Sequence, residues 1–175
     1  MVYTVGEMAK LLNIPASTLR YYDKQGLLPF VERSPGGIRV FKDSDFEWLR
    51  IIECMKKAAD KGVKVLVFPE LTLTGCSCYD LVGHSVILRG AERALERVIE
   101  ASAGNDMLVI VGLPYAPRGG ALYSVAAVIS DGELLGLVPR SETDGTLFAA
   151  ADDEGGEETV CGKFDAFFDT ELLFT

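Results

Sequence analysis

Side chains that can bind phosphate are concentrated in one short stretch, TLRYYDK, at residues 18–24. The arginine offers a planar fork of N–H donors that fits a guanine edge or a phosphate, and a tyrosine hydroxyl can donate to phosphate. Taken one at a time, these residues favour a plainer interpretation, in which the tyrosines pack in a small core and the arginine is solvated. Taken together with the helices and hairpin around them, they favour contact with nucleic acid.

The charge of the chain is divided in a way that agrees with such contact. The whole chain of 175 residues has a net charge of −9, which by itself argues against nucleic acid. Residues 1–57, however, hold nine Lys and Arg against seven Asp and Glu, whereas residues 58–175 hold eight against 19. Because phosphate contacts need basic side chains, the charge predicts that nucleic-acid binding is confined to the N-terminal part.

The cysteines and the one histidine give little support for a metal site. Cys76 and Cys78 form a C-x-C pair that can bind a metal, but His84 has no partner at ligand spacing, and zinc takes four ligands. With Cys54 and Cys161, these two are expected to be buried or half-buried structural thiols. We therefore expect no metal and no cofactor.

The location of the chain is predicted from what its sequence lacks. The start, MVYTVGEMAK, contains no visible secretory signal. No apolar run reaches the ~18–20 residues of a membrane span. Sparse cysteines without an export signal are kept reduced in the cytoplasm. The sequence therefore predicts a cytoplasmic protein with no membrane partner.

The N-terminal residues predict two short helices joined by a tight turn. YTVGEMAKLLNI has a helical apolar period, with Thr4 as N-cap and Glu7 completing a capping box. NIPASTLRYYDKQGLL predicts the turn and the second helix, which Gly26 would end. Such a pair is a helix-turn-helix pattern.

A hairpin and a longer helix follow this pair. FVERSPGGIRVF predicts two extended stretches around a Pro-Gly-Gly turn, that is, a small wing. KDSDFEWLRIIECMKKAADKG predicts an amphipathic helix from about Ser44 to Lys61, with an acidic first turn.

Beyond Gly62 the pattern changes to that of an α/β layer. VKVLVF is a continuous apolar run that favours a strand covered on both faces, and DMLVIVGLP predicts a second buried strand. VILRGAERALERVIEASA predicts a helix between them, with Val86 at the start of its apolar side. ALYSVAAVISDGELLGLVP predicts a hairpin that turns at Asp131–Gly132.

The first 57 residues resemble the winged-helix head of MerR-family transcription regulators, and TLRYYDKQGLL carries the most specific part of the likeness. In that family the second helix enters the major groove of DNA and the wing grips the backbone. The resemblance implies double-stranded DNA as partner and a role in transcription regulation. It implies these DNA-binding residues: Thr18, Arg20 and Tyr21 at the groove or adjacent phosphates, Tyr22 and Lys24 close by, and Arg33 and Arg39 on the wing.

The remainder, from about Ile51, resembles the nitrilase-fold glutaminase domain of glutamine-dependent NAD synthetases. The likeness is carried by VLVFPELTLTG, VIVGLP, LYSVAAVISDGELLGLVPR and FDTELLF. Such enzymes hydrolyse amides with a glutamate base, a lysine and a cysteine nucleophile. The resemblance implies that Glu70 is the base, and burial at the end of an apolar strand would raise its pKa. The alternative is a strand-end carboxylate held by backbone N–H groups.

The chain departs from that family's pattern at several positions. Arg140 stands at the lysine position, and Ser124 stands where asparagine is usual. Residues 141–158 hold seven acidic residues and no Lys or Arg, which is typical of a solvated loop. The family's nucleophile follows the FDTELLF strand, and the chain ends at Thr175 before it. The family places no nucleophile at Cys161, so we expect a catalytically incomplete domain.

These observations predict an α+β mosaic: a winged helix-turn-helix head at 1–57, joined through a shared helix to a partial α/β nitrilase-like sandwich at 51–175. The predicted function is sequence-specific DNA binding, with a non-enzymatic second half that self-associates. The alternative is a carbon–nitrogen hydrolase, the glutaminase part of an NAD synthetase, cut before its nucleophile. The sequence is compatible with a natural fusion, a fragment or a gene-model join.

Overall fold

The computed structural model describes residues 1–24, 28, 31–117, 120–143, 145–151 and 156–169. It leaves out the side chains of Ser44, Glu47, Cys76, Ser77, Tyr79 and Glu158. The chain divides into two compact units, Met1–Ala58 and Ala59–Thr175. None of the helices within the described ranges is long and apolar enough to cross a membrane.

The first unit opens with the predicted helix pair. Strand β1 (Val2–Thr4) leads into α1 (Val5–Leu12), and α2 (Ala16–Lys24) follows after a turn. The capping box is confirmed: the Glu7 N–H donates to the Thr4 hydroxyl, and the Thr4 N–H donates to the Glu7 carboxylate at 2.8 Å. Asn13 ends α1 in the left-handed region at φ 55°. The expected stop of α2 at Gly26 lies outside the described residues.

The wing is present and is part of a three-stranded sheet. Strand β2 (Glu32–Arg33) pairs antiparallel with β3 (Arg39–Lys42) across the turn that contains Gly37 at φ 75°. Strand β1 pairs antiparallel with the other edge of β3, which gives the order β1-β3-β2. The sequence predicted the hairpin but not this third strand, because three residues carry no period.

Helix α3 (Asp43–Asp60) confirms the predicted amphipathic helix. Its apolar stripe is buried at Leu49, Ile52 and Met55, which recur at helical spacing. Acidic side chains occupy its first turn, where the partial positive charge of the helix N-terminus stabilises them.

The second unit is built on a six-stranded sheet with the order β4-β5-β6-β7-β9-β8. Its strands are β4 (Val65–Val67), β5 (Leu108–Tyr115), β6 (Tyr123–Ser130), β7 (Glu133–Pro139), β8 (Gly156–Val160) and β9 (Phe164–Phe168). The pairs β4·β5 and β7·β9 are parallel, and the other pairs are antiparallel. A 3₁₀ helix (Cys76–Gly83) precedes α4 (Ser85–Ser102).

The β6–β7 hairpin turns at the predicted Asp131–Gly132 pair. Both residues lie in the left-handed region, at φ 46° and 80°, as the tightest hairpin turns require. The Asp131 carboxylate accepts from the Gly104 N–H at 2.7 Å, and the Ser102 hydroxyl accepts from the Gly132 N–H at 2.9 Å. These bonds fasten the turn to the C-terminal end of α4.

One face of the sheet packs against α4 and the other is partly open. The core of the packed face consists of Ala91, Ala94, Leu95, Val98 and Ile99 of α4 with Val109, Val111, Leu113, Ala127, Ile129 and Leu137 of the sheet. Side chains alternate between faces along a strand. The strand registers therefore put a second set on the opposite side, here named the open face: Val65, Val67, Ile110, Ala126, Val138 and Phe167.

The prediction that VKVLVF forms a strand covered on both faces is wrong. Val65 and Val67 are 55% and 64% exposed, because β4 is a three-residue edge strand and both side chains lie on the open face. Val86, placed on the apolar side of α4 by its period, is 67% exposed in the first turn. An apolar run predicts a strand, but it does not predict which layers cover that strand.

Candidate functional site

Helix α2 presents part of the predicted DNA-binding set to solvent. Leu19 is fully buried and fixes the rotation of the helix. Arg20 and Lys24, one turn apart, are exposed, and Tyr21 is 53% exposed. Thr18 is half-buried beside them. The exposed side of α2 therefore carries two cations and a tyrosine ring.

Tyr22 differs from its neighbours because it lies in the core. Its side chain is 4% exposed, and its hydroxyl donates to the Glu53 carboxylate on α3. The Lys56 Nζ lies 3.8 Å from the centre of the Tyr22 ring and 5.0 Å from that of Tyr21, so a cation–π contact joins the same helices. Tyr22 therefore packs in the core, as the plainer interpretation of the tyrosines expects, and its DNA-binding role stays a prediction of the resemblance.

The two wing arginines meet at the C-terminal end of α2. Arg39 donates from Nε to Asp23 Oδ2 at 2.6 Å and also from Nη2. Arg33 donates from Nη2 to the same oxygen at 3.1 Å. Asp23 therefore joins both wing arginines to α2.

In the second unit, Glu70 lies in a tight turn that crosses the sheet directly above Gly112. A Cβ atom on Gly112 would lie 2.6 Å from the Leu71 N and 2.8 Å from the Glu70 Cα, so only glycine fits there. Leu71 takes φ 53°, and the Leu73 N–H donates to the Gly112 carbonyl at 3.2 Å. Close backbone contact therefore fixes the position of Glu70.

Two polar side chains converge on the Glu70 carboxylate. Ser124, buried on β6, donates from Oγ to Glu70 Oε1 at 2.7 Å. Arg140, directly after β7, lies with Nη1 3.4 Å from the same oxygen. These residues border a pocket of about 430 Å³, and the described lining residues contain no cysteine: Val67, Phe68, Glu70, Ile110, Gly112, Ser124, Ala126, Val138, Pro139, Arg140 and Ser141.

The expectation of a desolvated carboxylate is wrong for this structure. The side chains of Glu70 and Arg140 are 53% and 56% exposed. Among the described residues, the donors that reach Glu70 are the side chains of Ser124 and Arg140, which differs from a carboxylate held by backbone N–H groups. Carboxylate, hydroxyl and guanidinium together offer acceptor and donor groups suited to a small amide.

The cysteines are distributed among different environments. Cys161, in the β8–β9 turn, donates to the Glu92 carbonyl at 3.2 Å, and burial together with the charges of Glu92 and Glu96 raises its pKa to about 11. Cys78 donates to the Thr74 carbonyl. Cys54 is exposed, which corrects the expectation that every cysteine is at least half-buried. The Cys76 side chain lies outside the described set.

In the described part of the chain, no three His, Cys, Asp or Glu side chains come together as metal ligands. Two residues that build the sites carry no role in the sequence prediction. Asp23 was visible only as an acidic residue inside a basic stretch, and Gly112 only as one glycine in VIVGLP.

Comparison with known families accounts for both halves. Residues 37–159, well over half of the chain, match the family model described as carbon-nitrogen hydrolase. The chain belongs to the carbon–nitrogen hydrolase family. Residues 4–41 match the model described as MerR family regulatory protein, so the hydrolase-family domain is preceded by a MerR-type head. The two matches overlap over residues 37–41, which begin in the wing turn and end in β3.

Two curated relatives each match a different part of the chain. A glutamine-dependent NAD(+) synthetase of Mycobacterium tuberculosis is 33% identical over 131 residues, which are 71% of this chain and 19% of that protein. An HTH-type transcriptional regulator of Haemophilus influenzae is 41% identical over 75 residues, which are 43% of this chain and 56% of that protein. The chain thus spans about half of the regulator and about a fifth of the synthetase.

A solved structure supports the fold of the second half. The glutamine-dependent NAD(+) synthetase of Cytophaga hutchinsonii has a TM-score of 0.63 with this chain at 20% identity, over 79% of this chain and 23% of that one. At that identity the likeness concerns the fold alone. The mosaic of a MerR-like head and a nitrilase-like α/β region is therefore confirmed.

Proposed function

We propose that the head binds double-stranded DNA, with α2 in the major groove and the wing on the backbone. The observation that carries this proposal is that Arg20 and Tyr21 are exposed on α2, the same helix whose Asp23 binds both wing arginines. Arginine and tyrosine on the second helix of a helix-turn-helix are suited to base edges and phosphates. The role is that of a sequence-specific transcription regulator in the cytoplasm.

The roles within this surface follow from exposure. Arg20 and Tyr21 contact the groove or the adjacent phosphates, and Lys24 contacts the backbone, because these side chains are exposed on α2. Half-buried Thr18 contacts the groove or phosphates beside them. Tyr22 supports α2 from the core through Glu53. The basic balance of residues 1–57 supplies the favourable charge, whereas the acidic remainder gives no attraction to phosphate.

Fluorescence anisotropy of the full chain with a mixed-sequence duplex of about 30 base pairs, about three helical turns, tests this proposal. At about 50 mM salt we expect binding that weakens steeply as salt rises. Arg20→Ala is expected to lower affinity about tenfold. Arg93→Ala is the matched control, because it removes the same charge from an exposed position on α4. Absence of binding, or equal binding by Arg20→Ala, would end the proposal.

A second candidate function is amide hydrolysis, favoured by the convergence of Ser124 and Arg140 on Glu70. In this reading Glu70 is the general base and Arg140 takes the lysine position, stabilising negative charge with a different geometry. We infer that the domain is catalytically incomplete, because the described pocket residues contain no thiol and the Cys161 thiol stays protonated near neutral pH.

Ammonia release from glutamine by the full chain separates the two candidate functions. We expect no release above that of a Glu70→Gln variant, whose carboxamide keeps the shape but cannot act as a base. Release that is lost in Glu70→Gln would instead establish the hydrolase and overturn the incomplete domain. Release that persists in Glu70→Gln would point to a contaminating enzyme.

We also propose that the second unit self-associates through its open face, with a second copy of the chain as occupant. The support is the exposure of Val65, Val67 and Phe167 on that face, together with short strands at both sheet edges. Exposed apolar patches and strand edges favour association.

A further inference from the structure

One carboxylate fastens the wing to the recognition helix α2. Three N–H donors of Arg39 and Arg33 converge on Oδ2 of Asp23. The two arginines are not equivalent in this arrangement. Arg39 uses two donors and its side chain is 24% exposed, whereas Arg33 uses one donor at 3.1 Å and is 53% exposed. Asp23 itself is only 17% exposed.

We propose that Asp23 and Arg39 form a clasp that sets the position of the wing on α2, and that Arg33 is the wing arginine that binds DNA phosphate. The inference rests on the proposed DNA binding. A guanidinium with two donors on one largely covered carboxylate is committed to that partner. A single longer contact at an exposed position can be exchanged for phosphate at little cost. Asp23 is thus a positioning residue, and it acts through Arg39.

The direction in which DNA affinity changes when Asp23 is removed distinguishes a positioning role from simple charge repulsion. An acidic side chain beside DNA repels the phosphates, so removing an ordinary acidic residue tightens binding. Removing a residue that positions the wing has the opposite effect, because the wing then loses the geometry in which Arg33 reaches the backbone. A loss of affinity on removing a negative charge is therefore specific to the clasp.

The experiment measures binding of the full chain to the mixed-sequence duplex of about 30 base pairs across a range of salt concentrations. Asp23→Ala is expected to weaken binding about tenfold and to lower the slope of log K against log salt by about one, as one phosphate contact is lost. Glu32→Ala is the matched control. It removes an exposed acidic residue of the same wing, paired with Lys42 and not with the clasp, and is expected to bind as well or more tightly.

Double variants distinguish the role of Arg33 from that of Arg39. Arg33→Ala is expected to lower the salt slope by about one in the wild-type chain and to have no further effect in Asp23→Ala. Arg39→Ala is expected to weaken binding at least as much as Asp23→Ala, because it also removes a positive charge, and the double variant should lose no more than Arg39→Ala alone. Additive losses for Asp23 and Arg39, or an Asp23→Ala variant that binds like Glu32→Ala, would overturn the clasp.

Hydrogen exchange tests the clasp without DNA, and so separately from the proposed DNA binding. Asp23→Ala is expected to accelerate exchange in the wing, where Ser34 N–H and Ile38 C=O close the turn, while Trp48 fluorescence stays that of a folded head. If Asp23→Ala unfolds, Asp23→Asn is used, because its carbonyl still accepts one bond from Arg39. Failure of the wild-type chain to bind any duplex would overturn the proposed function, whereas unchanged wing exchange would overturn the clasp alone.

Discussion

At the scale of single residues, Gly112 determines where Glu70 can lie. The Pro69–Leu71 turn crosses β5 at a distance that leaves no room for a Cβ atom on Gly112. The requirement for glycine at position 112 is steric and does not come from a hydrogen bond. A Cβ atom on Gly112 would meet three backbone atoms of this turn, and a rotamer change cannot relieve contacts with backbone.

Gly112→Ala is expected to lower the free energy of unfolding of the second unit by about 1–3 kcal/mol, because the turn must move off the sheet. Gly90→Ala is the matched control. Gly90 lies inside α4 with nothing within 4 Å of its virtual Cβ, so alanine there is expected to stabilise by up to about 1 kcal/mol. Hydrogen exchange in β5 and β6, monitored as the urea concentration rises, measures the free energy of unfolding of both variants. Effects of the same sign would contradict the close approach.

Cys161 is expected to react more slowly than Cys54. With its pKa at about 11, only about a thousandth of it is thiolate at pH 8, and the thiolate is the form that iodoacetamide attacks. Exposed Cys54 is expected to be alkylated first, and the Cys161 rate should rise as the pH approaches 11. Peptide mass spectrometry follows both, and the urea-unfolded chain, where both should react alike, is the control. Equal rates at pH 8 in the folded chain would show that Cys161 is not protected.

At the scale of elements, Thr4 serves β1 and α1 at once. It is the last residue of β1 and the N-cap of α1, and its N–H and hydroxyl both donate to Glu7. These two bonds, the backbone one first, hold the Glu7 pKa below its ordinary value of 4.5. A lowered pKa means that the folded state favours the ionised carboxylate.

Thr4→Ala is expected to lower the free energy of unfolding of the head by about 1 kcal/mol. Thr4→Ser is expected to retain most of the stability that the cap provides, because serine also offers a hydroxyl. The contribution of Glu7 is present above pH 4.5 and is lost as the pH falls through the lower folded pKa. The difference between wild type and Thr4→Ala should therefore shrink below that pH. Trp48, the only tryptophan, reports unfolding of the head in urea. A constant difference across this pH range would contradict the capping box as its origin.

The elements also show what the sequence can and cannot predict. Local patterns were enough for α1, the wing, α3, α4 and the Asp131–Gly132 hairpin, because capping, helical period and turn chemistry act between near neighbours. The exposure of β4 and the covering of Tyr22 depend on which distant layers pack there, and no local pattern carries that information. The family resemblance named Glu70 and the position of Arg140, whereas the Asp23 clasp needed the wing in place.

At the scale of the whole molecule, the charge distribution gives DNA binding and self-association opposite dependences on salt. Residues 1–57 carry two more basic than acidic residues, and residues 58–175 carry eleven more acidic than basic ones. Added salt screens the attraction between the head and phosphate, so it weakens DNA binding. The same salt screens repulsion between two acidic second units, so it strengthens their association.

Sedimentation velocity across salt concentrations is therefore expected to show self-association that increases with salt. Phe167→Asp should abolish it, because Phe167 is 56% exposed on the open face and a carboxylate there would be desolvated beside apolar side chains. Val86→Asp is the matched control, since Val86 is 67% exposed on α4 and outside that face. A wild-type chain that stays monomeric at high salt, or equal effects of the two variants, would remove the open face as the interface and leave the DNA-binding head unaffected.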